Sequence, residues 1–184
     1  MTSASGASDA LTARVPVAYA YRHADLPDDI DASTFEGRLG HCYTLAAHVH
    51  ANLYMRGWKD ITLVHGIIGA SGNPHAWLEF RLDGKRYVYD PTLDGIIPHD
   101  FYRDEWRCRV WSRYTIQQAS ALITAEKSFG PWGANDARYD KRVEAMERLK
   151  AEGRFPPPPD MDKVPMLRAA EPGAEPMIPF SIQG

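Results

Sequence analysis

Residues 75–90 read HAWLEFRLDGKRYVYD. Two runs of strand-forming residues flank Asp83-Gly84, a strong short-range signal for a β-hairpin. With that turn, Leu82 pairs with Lys85, Asp90 lies opposite Trp77 and Thr92 opposite His75. Side chains alternate along a strand, so His75, Trp77 and Glu79 share a face with Asp90. His75 and Asp90 become diagonal neighbours, their Cα atoms roughly 7–8 Å apart and within reach of a ring and a carboxylate. A four-residue loop keeps this register, whereas a three-residue loop with a bulge breaks it. The hairpin therefore predicts a His–Asp pair in which Asp90 orients the imidazole. Glu79 on the same face is equally well explained by a salt bridge.

Working outward, Pro91 ends the hairpin and residues 61–68, rich in β-branched side chains, read as a buried strand. Before them, Leu45, Ala46, Val49 and Leu53 recur at helical spacing from Cys42 onward. Gly40 breaks the chain ahead of that helix and Gly57 stops it. Residues 116–129 and 136–152 read as two later helices, the second strongly charged and exposed. There is no internal repeat. Helix, three strands, then helices predict an α+β domain: an N-terminal helix on a small antiparallel sheet, with C-terminal helices.

The chain has 184 residues, enough for one ordinary domain and too few for two. A charge of −3 leaves no basic excess to neutralise a phosphate backbone, so no nucleic-acid partner is expected. Two cysteines, Cys42 and Cys108, do not make a disulfide scaffold. No run of 18 apolar residues occurs and the start does not resemble an export signal, so no membrane partner is expected and the location is read as cytoplasmic. Residues 1–14 read as a flexible arm, 15–154 as the one folded domain and 155–184 as an extended tail. Eight of the 14 prolines fall in that tail, including 156–159, which favours polyproline II over helix. Its Met161, Val164, Met166, Leu167, Met177, Ile178, Phe180 and Ile182 are too apolar for a solvated linker. The tail is expected to dock on its own domain or on a partner chain.

Three segments carry the chemistry: EGRLGHCY (36–43), PHAWLE (74–79) and YDPT (89–92). Cys42 stands at the predicted N-terminus of a helix, where unpaired N–H groups and the helix dipole favour the thiolate. A neighbouring imidazole holds such a thiolate as an ion pair and later serves as general acid. Each residue also has a plainer role. Cys42 could be a small buried hydrophobe, His75 a structural histidine and Asp90 the lead into the Pro91 turn. Cys108, among Trp106, Arg107, Arg109 and Trp111, reads as structural.

Cysteine at a helix start, histidine in an HAW-E strand and aspartate in a YDPT strand, in that order, resemble the transglutaminase-like branch of the papain-like cysteine enzymes. The resemblance covers about residues 36–94 and is poorly specific for substrate. It implies a papain/transglutaminase-like core and acyl transfer through a thioester without a cofactor. Cys42 would be the nucleophile, His75 the general base and acid, and Asp90 the orienting group. The implied activity is a cysteine-dependent amide hydrolase acting on a peptide or protein, a cysteine protease in the broad sense. Acyl transfer to an amine and deamidation are the alternatives with the same triad.

One departure stands out. Papain-like peptidases commonly place a glutamine six residues before the cysteine, and Glu36 stands there, a group that cannot donate to an oxyanion unless protonated. Glu36, His41, Tyr43 and Trp77 are therefore the candidate oxyanion or accessory residues, with Trp77 and Phe80 read first as core. Two rivals remain. His41, Cys42, His48, His50, His65 and His75 lie close in sequence, yet no common zinc spacing occurs, so no metal is expected. A non-catalytic binding or assembly protein keeping this fold is the other.

Overall fold

The computed structural model describes residues 26–157 and 160–168. The arm expected over 1–14 and the apolar positions Met177, Ile178, Phe180 and Ile182 lie outside them. Chain order begins with a short helix α1 (Phe35–Arg38), capped by Thr34 accepting from the Gly37 N–H, and helix α2 (Cys42–Met55). Then come β1 (Ile61–Ile68), β2 (Asn73–Leu82), β3 (Lys85–Asp90), β4 (Gly95–Pro98) and the short helix α3 (His99–Asp104). Strand β5 (Arg109–Tyr114), helices α4 (Ile116–Glu126) and α5 (Ala134–Ala151), a 3-10 turn (Met161–Lys163) and β6 (Leu167–Arg168) complete it.

The six strands form one antiparallel sheet in the order β5-β1-β2-β3-β4-β6. The central hairpin keeps the predicted register, from Leu82 opposite Lys85 to Leu78 opposite Tyr89. Asp83 (φ 51°) and Gly84 (φ 75°) both take positive φ, the turn whose twist suits adjoining strands. The general α+β expectation with an antiparallel sheet holds, and the sheet is wider than the three strands read from the sequence. Strand β4 is four residues between turns, and β5 returns to pair with β1 across the intervening chain, so neither had a local signal.

Alternation gives the sheet two apolar faces. On one, Leu45, Ala46, Val49 and Leu53 of α2 pack with Leu63, Ala76, Leu78, Tyr89 and Ile96. On the other, Val64, Trp77, Val88 and Ile97 pack with Tyr102 of α3 and Trp106. Full burial of an aliphatic side chain such as Leu45 or Leu53 stabilises the fold by roughly 1.5–3 kcal/mol, which makes the α2 seam a principal anchor. Val164 and Met166 of the tail pack against the second face, and β6 pairs with β4. Residues 164–168 of the tail thus lie against the domain, while Phe155 and residues 160–163 are exposed.

Helix α5 reaches across to the β1–β2 turn. Arg142 donates through Nε to the Gly72 carbonyl at 3.0 Å and through Nη2 to that of Ser71. This clamp fixes the turn from which β2 enters the site.

Candidate active site

Cys42 is the first residue of α2, and its N-cap, His41, makes no side-chain capping bond. The first helical hydrogen bond runs from the Leu45 N–H to the His41 carbonyl at 2.9 Å. The N–H groups of Cys42, Tyr43 and Thr44 therefore have no intrahelical acceptor, and with the helix dipole they favour negative charge at this end.

His75 enters from the start of β2 and Asp90 from the end of β3. His75 Nε2 lies 2.8 Å from Asp90 Oδ2. The same carboxylate oxygen accepts the Tyr102 hydroxyl at 2.8 Å, and Oδ1 accepts the N–H groups of Thr92 (2.9 Å) and Leu93 (3.3 Å). A carboxylate that already takes three such donors is held ionised, so the His75 ring donates to it from Nε2–H. Cys42 acts on the ring from its other side, raising the imidazole's affinity for a proton, and with Nε2 committed to Asp90 the nitrogen left to face its sulfur is Nδ1.

The electrostatics agree with this geometry. Burial acts to lower the His75 pKa, but the Asp90 carboxylate and the Cys42 sulfur outweigh it and raise the pKa well above the usual imidazole value. Burial likewise acts to raise the Asp90 pKa, while the charge and hydrogen bond of His75 and the Tyr102 bond bring it below the ordinary carboxylate value. Asp90 is sealed at 2% exposure, whereas Cys42 and His75 each keep 8%. Solvent therefore touches the arrangement on the sulfur–imidazole side.

Behind the imidazole, the Trp77 ring stacks at 6.3 Å between centroids, and Trp77 in turn packs on Tyr102 at 5.5 Å. Trp77 is fully buried, and its N–H is directed to Glu79 Oε1 at 3.4 Å. It backs the pair rather than offering a donor to an oxyanion. Glu36 is exposed on α1 and His41 is half-buried at the helix start. Tyr43 turns into an aromatic cluster with His65 and Tyr139, its hydroxyl without a hydrogen-bond partner among the described residues. The donors best placed beside the sulfur are thus main-chain N–H groups.

Glu79 sits in an ion cluster with Arg113 (3.1 Å), Arg86 (3.2 Å) and His99 (3.4 Å). Burial acts to raise its pKa, but Arg113 and its other partners bring it down. Cys108 is a free, half-buried thiol whose pKa burial pushes up to about 11. The clustered histidines of the metal alternative go separate ways. His48 Nδ1 bonds the Thr44 carbonyl (2.8 Å), His50 Nε2 bonds that of Ile61 (3.1 Å), and His65 lies among aromatic rings. Among the described residues no group of three or more His, Cys, Asp or Glu side chains is gathered to hold a metal ion. No described helix is long and apolar enough to cross a membrane.

Tyr102 escaped the sequence reading. It reaches Asp90 from α3, and the one local signal there is the aromatic character of Phe101, Tyr102 and Trp106, of which Tyr102 and Trp106 are buried. No family model, curated protein or solved structure matches the chain.

Proposed function

We propose that the chain is a cysteine-dependent amide hydrolase of transglutaminase-like type, acting on a peptide or protein through Cys42, His75 and Asp90. One observation carries the proposal: a buried imidazole tied to Asp90 at 2.8 Å, with Cys42 at a helix N-terminus as its other partner. That is the relation of nucleophile, base and orienting group that acyl transfer requires.

The steps follow from the atoms. His75 Nδ1 holds the thiol proton, and the Cys42 sulfur attacks the amide carbonyl carbon. The oxyanion that forms is met by the free N–H groups at the start of α2. Collapse breaks the C–N bond as the imidazolium returns its proton to the leaving amine, giving a thioester on Cys42. His75 then takes a proton from water, whose oxygen attacks the thioester. Collapse then breaks the C–S bond, releasing the acid and leaving the Cys42 thiolate beside the protonated imidazole, which is the starting ion pair. An amine in place of water gives acyl transfer by the same route.

The test is the pH dependence of Cys42 alkylation by iodoacetamide in a Cys108→Ser background, with and without His75→Ala, read by intact mass. The expected result is fast single-site labelling that persists well below the free-thiol pKa of about 8.5 and collapses in His75→Ala. Slow labelling that follows an ordinary thiol titration and ignores His75 would overturn the assignment.

A further inference from the structure

Arg38 is buried although it carries a guanidinium, and it lies four residues before Cys42. Its Nε donates to the Thr92 carbonyl at 2.9 Å and its Nη1 to the Ala32 carbonyl at 2.9 Å. Both acceptors are main-chain oxygens, and the rigid fork of the guanidinium fixes them relative to each other. One belongs to the chain ahead of the nucleophile and the other to the turn that follows Asp90.

Thr92 spends its other main-chain group on the aspartate, its N–H donating to Asp90 Oδ1 at 2.9 Å. The contacts therefore close on themselves. Cys42 meets His75, His75 meets Asp90, Asp90 meets Thr92, Thr92 meets Arg38, and three residues lead back to Cys42.

That return path is held too. Gly40 takes φ 81°, and the His41 N–H donates to the Arg38 carbonyl at 3.2 Å. On the far side, Asp31 bonds the Ser33 N–H at 3.0 Å and Thr34 caps α1. Gly37 lies so close beneath that turn that a Cβ there would stand 2.1 Å from the Asp31 carbonyl oxygen.

We propose that Arg38 is a positioning residue for Cys42: by tying the chain before the nucleophile to the turn after Asp90, it sets the sulfur against the His75–Asp90 pair. Arg38 touches no reacting atom, and its role rests on the nucleophile and base assigned above. The fully buried aliphatic anchors of α2, Leu45, Val49 and Leu53, lie downstream of Cys42, while Cys42 and Tyr43 each keep 8% exposure at the edge of the same core, so the position of the helix start also depends on what holds the chain ahead of it. A misplacement of about 1 Å at such a contact costs on the order of a hundredfold in rate.

The experiment uses the full chain with Cys108→Ser and compares Arg38→Met and Arg38→Lys with the parent. Folding is followed by circular dichroism, Cys42 alkylation by iodoacetamide at pH 6, and His75 by its ring 15N shifts. In folded Arg38→Met, labelling at pH 6 is expected to fall roughly ten- to a hundredfold while the 15N shifts still report His75 bonded to Asp90. Arg38→Lys, which keeps a charge and one reachable carbonyl, should recover part of the rate. A folded Arg38→Met that labels like the parent would overturn the proposal, since Arg38 would then serve stability alone. So would loss of the His75–Asp90 signature together with the labelling, or failure of both variants to fold. The parent separates this from the functional proposal: an ordinary thiol profile there overturns the nucleophile itself, and Arg38 as its positioner with it.

Discussion

Tyr102 and His75 both donate to the same oxygen of Asp90, and two donors on one oxygen share its charge. Removing the hydroxyl in Tyr102→Phe leaves the ring packed on Trp77 and Trp106 and returns that charge to His75. The His75 pKa, already raised, should move further up in an NMR titration. Loss of a buried bond to a charged acceptor should also cost about 1.5–3 kcal/mol in urea unfolding. A downward shift would mean that Tyr102 supports the imidazolium by some route other than Asp90. Linkage sets a second sign at this residue. Because the folded pKa of His75 lies above its unfolded value, near 6.5, its contribution to stability is complete below that pH and is lost as pH rises through the folded value.

The hairpin shows how far an element can be read before it is seen. Asp83-Gly84 dictated the turn, the turn dictated the register, and the register brought His75 beside Asp90. Cys42 was legible because Gly40 and the Leu45, Val49, Leu53 spacing marked a helix start. What lay outside local pattern was whatever pairs across the chain. Strand β5 beside β1, Tyr102 beneath Asp90 and the Arg38 bond to Thr92 each join segments whose separation no periodicity spans. Gly66 belongs with these. It reads as one position of a buried strand, yet it sits opposite His75 at the register shift between β1 and β5. A Cβ there would lie 2.2 Å from the Arg109 carbonyl oxygen and 2.7 Å from the Trp77 ring. Gly66→Ala should therefore push apart β5 and the ring behind His75. The expected cost is about 1–3 kcal/mol, measured by urea unfolding at fixed pH. A neutral outcome would show that the edge strand shifts freely at the bulge.

For the molecule as a whole, a pronounced response to pH is expected from a histidine outside the proposed site. His65 of β1 is fully buried within an aromatic enclosure of Tyr43, Tyr114 and Trp132, with ring centroids 4.7–4.9 Å away. Neither ring nitrogen has a hydrogen-bond partner among the described residues, so no hydrogen bond from them offsets the loss of water around a cation. Burial takes the His65 pKa down to about 3. The unfolded chain, with an imidazole near 6.5, binds this proton first, and stability must fall as pH drops from that value toward 3. At about 1.4 kcal/mol per unit, the full loss is on the order of 4–5 kcal/mol, a large share of a typical domain's stability. His50 adds in the same direction, its pKa lowered by burial against the opposing bond to Ile61. His75 acts in the opposite sense and at higher pH, so the molecule should be most stable between the two windows. Replacing the enclosed ring with a hydrocarbon isolates the effect. Urea unfolding of His65→Leu and the parent between pH 4 and 8 should give curves that converge, and then cross, as pH falls. The variant is hurt near neutrality by imperfect packing and spared in acid, where it has no proton to exclude. A difference between the two that stays constant across that range would mean that His65 keeps its proton equilibrium unchanged on folding, and that the aromatic enclosure does not exclude the charge.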